Sequence, residues 1–342
     1  MIRRRPLTVM LMKAAFLEQF GPPEVIRYGD LAMPQVGNRD VLVQVDAVAI
    51  NNIDAYIRSG SYRVAAPMPF IIGRDLVGTV VETGPEVTRF HSGDKVWANN
   101  QGYGGRQGSF SNYCAVAEEL LYPLPAGADP LETVAVVHSA LTAVLGLQFK
   151  AYLRPGEAVF VNGGAGNVGT AVVGIAKALG AKVAVAVAGE EKAAWCRALG
   201  ADRVIDYKQQ DTGHALHEFA PKGVDVYFDT TREFDAKTAL ESLATRGRIV
   251  LIAGTSHQTI LPVGLLYLRN ATIFGFTVTD ATTDELATYA VEINRWLTRG
   301  VLRAKIARRL RLSDAAEAHR LLESGGLFGK IVLTPERVGE AE

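Results

Sequence analysis

The stretch that decides the fold is residues 159–169, Val159-Phe160-Val161-Asn162-Gly163-Gly164-Ala165-Gly166-Asn167-Val168-Gly169. It starts as a short apolar run, as in a buried strand, and continues into closely spaced glycines. Gly164, Gly166 and Gly169 fit the pattern G-x-G-x-x-G, and Gly163 adds a second pattern, G-x-x-G-x-x-G. Residues 167–179 then have the apolar spacing of a helix. The order of strand, glycine turn and helix is typical of a site that binds the phosphates of a dinucleotide.

Each glycine of such a turn has its own physical reason. One lets the chain turn sharply after the strand, one lets the backbone approach a pyrophosphate, and one lets the helix pack closely on the sheet. The helix that follows presents N–H groups and the positive end of its dipole to the phosphates. A tight strand–helix turn without a ligand is the alternative. The strand before and the helix after this turn favour the dinucleotide site.

Around the glycine turn the sequence alternates between strand and helix. Strands are predicted at residues 158–161, 182–187, 204–205, 224–228, 248–252 and 272–274, and a second helix at residues 190–199. Such alternation is typical of a parallel, doubly wound sheet covered by helices on both faces. The predicted fold class is therefore α/β, with a Rossmann doubly wound parallel-sheet domain that starts near residue 135.

The first third of the chain has a different pattern. Residues 41–48 alternate roughly between apolar and polar side chains, and residues 75–83 and 94–97 are further strand candidates between glycine- and proline-rich turns. This part is predicted to be a β-rich barrel or sandwich. The end of the chain is predicted to contain helices at residues 284–299 and 313–323 and a last strand at residues 330–333, without a glycine-rich site.

Composition limits the possible classes of function. Of the 342 residues, 48% are hydrophobic and 21% are charged, and 36 basic side chains balance 36 acidic ones. A balanced charge without a basic stripe argues against a nucleic-acid partner. The cysteines Cys114 and Cys196 lie far apart, which favours a reducing compartment, and we predict a cytoplasmic protein. No apolar stretch is expected to reach the roughly 18–20 residues that span a bilayer, so no membrane association is predicted.

The first residues are interpreted separately. Arg3, Arg4 and Arg5 precede a short apolar run, as in a signal peptide, but Pro6 interrupts that run. No small-residue cleavage site follows. We interpret residues 1–11 as an N-terminal extension or an early start, because residues 12–15 already have the pattern of the first strand.

The choice of dinucleotide depends on the residues after the second strand. Sites for NAD usually carry Asp or Glu there, bound to the ribose 2′-hydroxyl. Here the strand ends Val187-Ala188-Gly189, which leaves room for a 2′-phosphate, and Lys192 and Tyr207 could bind that phosphate. The acidic pair Glu190-Glu191 would repel a phosphate, although acids in the first turn of a helix also complement its dipole. We favour NADPH over NADH.

Four further segments match a known pattern. They are residues 12–16 with 20–25, residues 51–62, residues 108–113 and residues 329–333. Together with the glycine turn they resemble the zinc-free quinone oxidoreductase and zeta-crystallin branch of the medium-chain dehydrogenase/reductase superfamily. The resemblance implies a GroES-like β-rich catalytic domain over residues 12–134, a Rossmann NADP-binding domain over residues 135–280, and a return to the catalytic domain over residues 281–342.

The resemblance also implies roles for individual residues. Tyr56 and Tyr62 match tyrosines that line the nicotinamide and substrate cleft, and they are the candidate catalytic residues. Asn51 matches an asparagine near the nicotinamide ribose, and Thr142 matches a threonine beside the nicotinamide. The implied cofactor-binding set also contains Gly163, Gly164, Gly166, Asn167, Val168, Gly169, Gly189, Lys192, Tyr207, Gly254, Thr255, Ser256, Phe276, Thr277 and Val278. Two positions depart from the branch, since Asn167 replaces a more usual glycine and Glu190 a serine or threonine.

No metal site is expected. Zinc enzymes of the superfamily bind the catalytic metal through Cys, a Gly-His-Glu segment and a later Cys or Asp. The matching positions here read Asn52 and Gly73-Arg74-Asp75, and the cysteine cluster of the structural zinc is also absent. Zn²⁺ prefers nitrogen and sulfur ligands, which these residue types do not supply. His214 and His217 have helical i, i+3 spacing and are interpreted as part of a polar helix face.

The absence of metal ligands narrows the chemistry. Alcohol oxidation needs zinc or a Ser-Tyr-Lys set to remove the hydroxyl proton. Conjugate reduction needs less, because hydride goes to carbon and hydrogen-bond donors can stabilise the charge on an oxygen. We expect NADPH-dependent reduction of quinones or α,β-unsaturated carbonyls, with the acceptor oxygen at Tyr62 or Tyr56, although either tyrosine could simply pack in the cleft wall. A 2-enoyl thioester reductase and a non-enzymatic, crystallin-like NADPH-binding protein remain alternatives.

The assembly is predicted from the position of one strand. Residues 272–274 are expected near an edge of the Rossmann sheet, and exposed edges invite pairing with a second chain. Together with the resemblance, this implies a homodimer built across two Rossmann sheets. The other expected partner is a small conjugated carbonyl or quinone.

Overall fold

The structure, a computed structural model, describes residues 10–336, so the predicted N-terminal extension lies almost entirely outside the described residues. The chain divides into two compact units. The first unit ends at Ala135 and resumes at Ile306, and the second spans Val136–Lys305.

The described residues form strands in the following order. They are β1 (Leu11–Leu17), β2 (Arg27–Ala32), β3 (Asp40–Ala49), β4 (Phe70–Ile71), β5 (Leu76–Thr83), β6 (Lys95–Ala98), β7 (Tyr113–Ala117), β8 (Leu121–Pro123), β9 (Ala158–Asn162), β10 (Lys182–Val187), β11 (Arg203–Asp206), β12 (Val224–Asp229), β13 (Leu243–Leu251), β14 (Thr272–Gly275), β15 (Ile306–Arg311) and β16 (Lys330–Thr334).

The helices alternate with these strands mainly in the second unit. They are α1 (Asn52–Ser59), α2 (Pro130–Val144, continued by a π-helix over Leu145–Lys150), α3 (Asn167–Ala178), α4 (Glu190–Ala198), α5 (Thr212–Phe219), α6 (Ala236–Glu241), α7 (Val263–Leu268), α8 (Thr283–Thr298) and α9 (Ala315–Glu323).

Strand β3 organises the first unit. It pairs antiparallel with β5 on one edge, and on the other edge with β7 near its start and β16 near its end. The sheet order is β15-β16-β3-β5-β6-β8, and a smaller sheet has the order β2-β1-β4. The last strand of the chain therefore completes the sheet that β3 begins. The predicted β-rich domain is confirmed.

The second unit is a parallel sheet with the order β11-β10-β9-β12-β13-β14. The chain moves outward from β9 through β10 to β11 on one side, and from β12 through β13 to β14 on the other. This is the strand order 3-2-1-4-5-6 of dinucleotide-binding folds. The predicted doubly wound sheet is confirmed, as is the edge position of β14 within the described residues.

The first unit resumes later than predicted. We expected the return at residue 281, but α8 packs inside the second unit. Gln148 Nε2 donates to Glu292 Oε2 at 3.0 Å, and the ring centroids of Phe149 and Tyr289 lie 4.7 Å apart. These contacts tie α8 to the π-helix, so the boundary lies at Ile306.

Helix α2 with its π-helical continuation corrects the expectation about apolar length. Its 21 residues, Pro130–Lys150, are long and apolar enough to cross a membrane. However, 78% of its most apolar window is buried inside the protein. A Cβ on Gly146 would lie 2.5 Å from the ring of Phe228, which shows how closely the helix packs on the sheet. It is the core helix of a packed domain.

One buried histidine in α9 lacks polar partners. His319 is 0% exposed, and neither of its ring nitrogens has a hydrogen-bond partner among the described residues. Its ring meets Phe110 edge-on, with 6.4 Å between centroids. Burial and, to a smaller extent, the positive charge of Arg58 together lower the pKa of His319 to about 3. The imidazole is therefore neutral in the folded protein at neutral pH.

We expect His319→Leu to reduce the loss of stability on acidification. In the unfolded chain the imidazole takes up a proton near its ordinary pKa of about 6.5. In the folded protein it stays neutral down to a pKa of about 3, so acid destabilises the fold within this window. The slope from this group is at most about 1.4 kcal/mol per pH unit. Urea unfolding at about pH 7 and about pH 4.5 measures the free energies.

The exposed histidine His91 provides the control, since His91→Leu should leave the slope unchanged. Equal pH slopes in the wild type and in His319→Leu would contradict the expectation.

Candidate active site

Most of the predicted cofactor residues lie at one edge of the second unit. Gly163 and Gly164 follow β9, Gly189 follows β10, Tyr207 follows β11, Gly254-Thr255-Ser256 follow β13, and Phe276-Thr277-Val278 follow β14. The carboxyl ends of parallel strands meet at the same edge of a sheet. Ligands of open α/β sheets bind at this edge, where the strand order reverses. Here the reversal lies between β9 and β12.

The turn after β9 is packed too tightly for side chains at three of its glycines. Gly163 has a φ of 81°, and a Cβ there would lie 2.5 Å from Thr230 Oγ1. A Cβ on Gly164 would lie 2.7 Å from the Val185 side chain, and a Cβ on Gly169 would lie 2.2 Å from the Gly163 carbonyl oxygen. Helix α3 therefore begins directly against the turn. Its first-turn N–H groups, which a helix leaves without internal partners, can serve phosphate oxygens.

A polar network at the end of β12 fixes this turn. Asp229 is buried, and its carboxylate accepts from Asn162 Nδ2 at 2.9 Å and from Thr231 Oγ1 at 2.7 Å. Thr230 Oγ1 donates to the Asn162 carbonyl at 2.7 Å. These bonds join the ends of β9 and β12 beside Gly163. These bonds were not predicted from the sequence, although the place of these polar residues after a buried strand was an available indication.

The proposed 2′-phosphate residues surround the end of β10. Tyr207 N donates to the Val187 carbonyl at 3.2 Å, so Tyr207 lies next to Gly189, and its side chain is 55% exposed. Lys192 lies in the first turn of α4 and is exposed. The structure therefore brings Gly189, Lys192 and Tyr207 to the same corner of the sheet edge.

Two predicted residues make side-chain contacts of their own. Thr142 lies within α2 and is nearly buried, and its Oγ1 donates to the His138 carbonyl at 3.3 Å. Thr277 Oγ1 donates to Asp280 Oδ2 at 2.6 Å, which shapes the loop after β14.

In the first unit, Asn51 lies in a buried polar cluster at the start of α1. Its Nδ2 donates to Asp75 Oδ2 at 2.7 Å, and its Oδ1 accepts from Lys330 Nζ. Asn99 Nδ2 donates to the other oxygen of Asp75. Asp54 Oδ2 accepts from the Asn51 backbone N–H at 2.7 Å, which closes the first turn of the helix. Both polar atoms of the Asn51 amide are thus engaged, and its orientation is fixed.

This cluster holds two acidic side chains and two basic ones in a buried environment. Burial raises the pKa of Asp54 to about 7 and that of Asp75 to about 6. Burial lowers the pKa values of Lys330 and Arg74, while the two carboxylates oppose that change. The sequence analysis did not assign Lys330 or Asp54 to the site. The N-x-x-D spacing of Asn51 and Asp54 at a helix start was an available indication.

The two candidate catalytic tyrosines are neighbours in the first unit. Tyr62 N donates to the Tyr56 carbonyl at 3.0 Å, and both side chains are half-buried. The buried guanidinium of Arg74 lies within electrostatic range of Tyr62. The guanidinium of Arg74 donates to Asn100 Oδ1 and lies 5.8 Å from the centroid of the Tyr103 ring. A buried positive charge therefore lies in the vicinity of Tyr62.

The positions that match the zinc ligands do not fit a metal. Asn52 is exposed, whereas its neighbour Asn51 is buried and donates to Asp75. Arg74 supplies a cation, and amide groups engage both oxygens of Asp75. Over residues 10–336, no three His, Cys, Asp or Glu side chains are grouped to hold a metal. His214 lies 3.7 Å from Glu218 on α5, near His217.

Family comparisons agree with this two-part architecture. Residues 37–126 match the alcohol dehydrogenase GroES-like domain family, and residues 167–294 match the zinc-binding dehydrogenase family. Among curated proteins, the quinone oxidoreductase of Pseudomonas aeruginosa is 33% identical over 92% of this chain and 97% of its own length. The human quinone oxidoreductase is 28% identical over 94% and 98%. The chloroplastic NADPH-dependent alkenal/one oxidoreductase of Arabidopsis thaliana is 30% identical over 95% and 80%.

Solved structures show the same likeness. An NAD-dependent alcohol dehydrogenase superposes with a TM-score of 0.85 at 29% identity, covering 94% of this chain and 99% of that one. A mycobacterial protein solved in complex with NADPH superposes with a TM-score of 0.82 at 28% identity, covering 95% and 100%. With the glycine turn, the sheet order and these relatives together, the chain belongs to the quinone oxidoreductase branch of the medium-chain dehydrogenase/reductase superfamily.

Proposed function

We propose that this protein is an NADPH-dependent oxidoreductase that reduces quinones or α,β-unsaturated carbonyls without a metal. The observation that carries the proposal is the turn after β9, where Gly163, Gly164 and Gly169 leave no room for a Cβ. A backbone so closely packed at the mouth of a parallel sheet fits a pyrophosphate. The names of the curated relatives support both acceptor classes.

The residues that would hold the cofactor lie along the sheet edge of the second unit. The glycine turn and the start of α3 would bind the pyrophosphate, and Gly189, Lys192 and Tyr207 would bind the ribose 2′-phosphate. The loops Gly254-Thr255-Ser256 and Phe276-Thr277-Val278, with Thr142, would border the nicotinamide. When bound, NADPH supplies the hydride that is transferred to carbon. One structural relative is named for NAD and another was solved with NADPH, and Lys192 favours NADPH here.

The chain's own contribution to the chemistry is a hydrogen-bond donor for an oxygen that becomes negative. Tyr62 Oη, or Tyr56 Oη, would donate to the acceptor oxygen and hand over its proton as the charge develops. The buried Arg74 guanidinium would favour negative charge that develops near Tyr62. Asn51, held by Asp75 and Lys330, would keep one orientation toward the nicotinamide ribose. The chain has a formal net charge of zero and so produces little long-range field to attract a charged substrate, which favours a neutral carbonyl acceptor.

A homodimer is proposed from the surface of the second unit. Beside the edge strand β14, large apolar side chains are exposed: Ile260 is 91%, Val263 65%, Tyr267 73% and Leu268 69% exposed. We call these four side chains the edge patch. An edge strand of a sheet next to such a patch is a typical interface between copies of a chain. The proposed location is the cytoplasm, because Cys114 and Cys196 are both buried, free thiols.

The cofactor site is tested with Gly169→Ala. The wild type is expected to bind NADPH and to oxidise it with a phenanthrenequinone and with an enone, but not with crotonyl-CoA. Gly169→Ala should abolish NADPH binding in calorimetry, because its Cβ would strike the Gly163 carbonyl. Gly213→Ala on α5 has room and should bind normally. Turnover of crotonyl-CoA alone would favour the thioester reductase, and tight binding without any turnover would favour the crystallin-like role.

The role of the tyrosines is tested with Tyr62→Phe. Removing the hydroxyl should lower kcat for the quinone by roughly tenfold or more while KM changes little, because the donor acts mainly on the developing charge. Tyr56→Phe, measured in parallel, shows which hydroxyl acts. Tyr152→Phe changes an exposed tyrosine and should have no effect. An unchanged kcat in both Tyr62→Phe and Tyr56→Phe would rule out this role.

The dimer is tested by light scattering. The wild type should have the mass of two chains, and the double variant Val263→Glu with Tyr267→Glu should be monomeric, because it places charges within the edge patch. Val291→Glu, on the exposed face of α8, is the matched control and should stay dimeric. A monomeric wild type would refute the proposed assembly.

A further inference from the structure

Two cations of the chain hold the acidic pair that opposes a 2′-phosphate. Glu190 and Glu191 begin α4 directly after Gly189. Arg197 Nη1 lies 2.6 Å from Glu190 Oε1, and Arg197 Nη2 lies 3.3 Å from Glu190 Oε2. Lys305 Nζ donates to Glu191 Oε1. Both carboxylates that were expected to repel the phosphate therefore have a positive partner.

The Glu190–Arg197 ion pair joins the two ends of α4. Arg197 follows Glu190 by seven residues on the same face of α4, about 10 Å further along the axis. Helical side chains normally lean toward the N-terminus, where the helix dipole also favours a carboxylate. The Arg197 guanidinium contacts both carboxylate oxygens of Glu190 and so limits where that carboxylate can lie. The negative charge of Glu190 is thereby paired with a cation of the same helix.

The third nearby carboxylate is engaged by the backbone. Asp206 Oδ2 accepts from Gly189 N at 3.4 Å, and Asp206 Oδ1 accepts from Lys208 N at 3.1 Å. These bonds hold the Asp206 carboxylate beside the Gly189 backbone. All three carboxylates around the proposed phosphate corner are thus directed by donors of the chain itself.

We infer that Arg197 is a positioning residue for cofactor choice: it holds Glu190 away from the ribose 2′-phosphate, so that a chain with an acidic pair after Gly189 still prefers NADPH to NADH. Lys305 holds Glu191 in the same way. This role of Arg197 rests on the proposed use of NADPH. It involves no contact between Arg197 and the cofactor, and its effect passes through the position of one carboxylate.

The test is a double-mutant cycle on binding, with Kd for NADPH and NADH measured by calorimetry. Arg197→Met should weaken NADPH binding roughly three- to tenfold, the size expected for a carboxylate released to within several ångströms of a phosphate near the surface. The Kd for NADH should change less than about twofold. Glu190→Gln should restore NADPH binding in the Arg197→Met background and have little effect alone. Arg197→Lys should retain most of the affinity.

The control removes one positive charge from a different exposed ion pair on another helix. Lys237→Met breaks the Lys237–Glu241 pair of α6, in which the charged atoms are 3.9 Å apart, and should leave both Kd values unchanged. The loss in Arg197→Met should also shrink as salt is added, because the repulsion is screened.

Three results decide the matter. If Arg197→Met weakens NADPH binding equally with and without Glu190→Gln, the role of Arg197 is overturned. The lost positive charge would then act on the cofactor directly and not through Glu190. An Arg197→Met variant that binds NADPH as tightly as a wild type that prefers NADPH overturns this role and leaves the proposed function intact. A wild type that binds NADH more tightly overturns the proposed cofactor and the role of Arg197 together.

Discussion

Contact between backbone and backbone at the turn after β9 is the constraint on which the second unit depends. The Gly163 carbonyl lies where a Cβ on Gly169 would approach to 2.2 Å, so α3 can start only if residue 169 has no side chain. The close start brings α3 against β9 and β10 and opens its first N–H groups toward the sheet edge. The neighbouring strand ends deliver the remaining residues to this edge, because all the strands are parallel. One steric requirement thus places a whole set of side chains.

The first unit depends on a balance of buried charge. Asp54 and Asp75 lie in a nearly dry cluster with Lys330 and Arg74. Burying any one of these charges alone would be strongly unfavourable, and removing one partner of such a set typically costs about 3–5 kcal/mol. The cost is offset by amide donors and by the opposite charges around each group. The arrangement fixes the orientation of the Asn51 amide. Its Nδ2 must face the Asp75 carboxylate, and its Oδ1 must face the Lys330 ammonium.

The sequence predicted those elements whose side chains carry a clear pattern. Strand β10 was located to the residue, because a continuous apolar run follows Lys182 and extends to Val187, shortly before Gly189. Strand β15 was missed, because Ile306–Arg311 contains three arginines and shows no apolar alternation. The boundary expected at residue 281 was misplaced, because only contacts distant in sequence, such as Gln148 with Glu292, assign α8 to the second unit.

The candidate site divides in the same way. The glycine turn could be predicted, because backbone sterics act within a few residues. The buried cluster could not, since Asn51, Asp75 and Lys330 are joined only by the fold. The partners of Glu190 and Glu191 were also hidden, because the exposed acidic pair reads in sequence as a simple helix start.

The contact of Lys330 with Asn51 spans almost the whole chain and bears on how the protein is made. The Val136–Lys305 unit is continuous, so all of its strands have left the ribosome before β16 is synthesised. The first unit needs β16 to complete its sheet beside β3 and to neutralise its carboxylates. During translation the N-terminal part of the first unit therefore stays incomplete while the strands of the second unit can already pair. The first unit can therefore complete its sheet only after β16, close to the end of the described chain, has been synthesised.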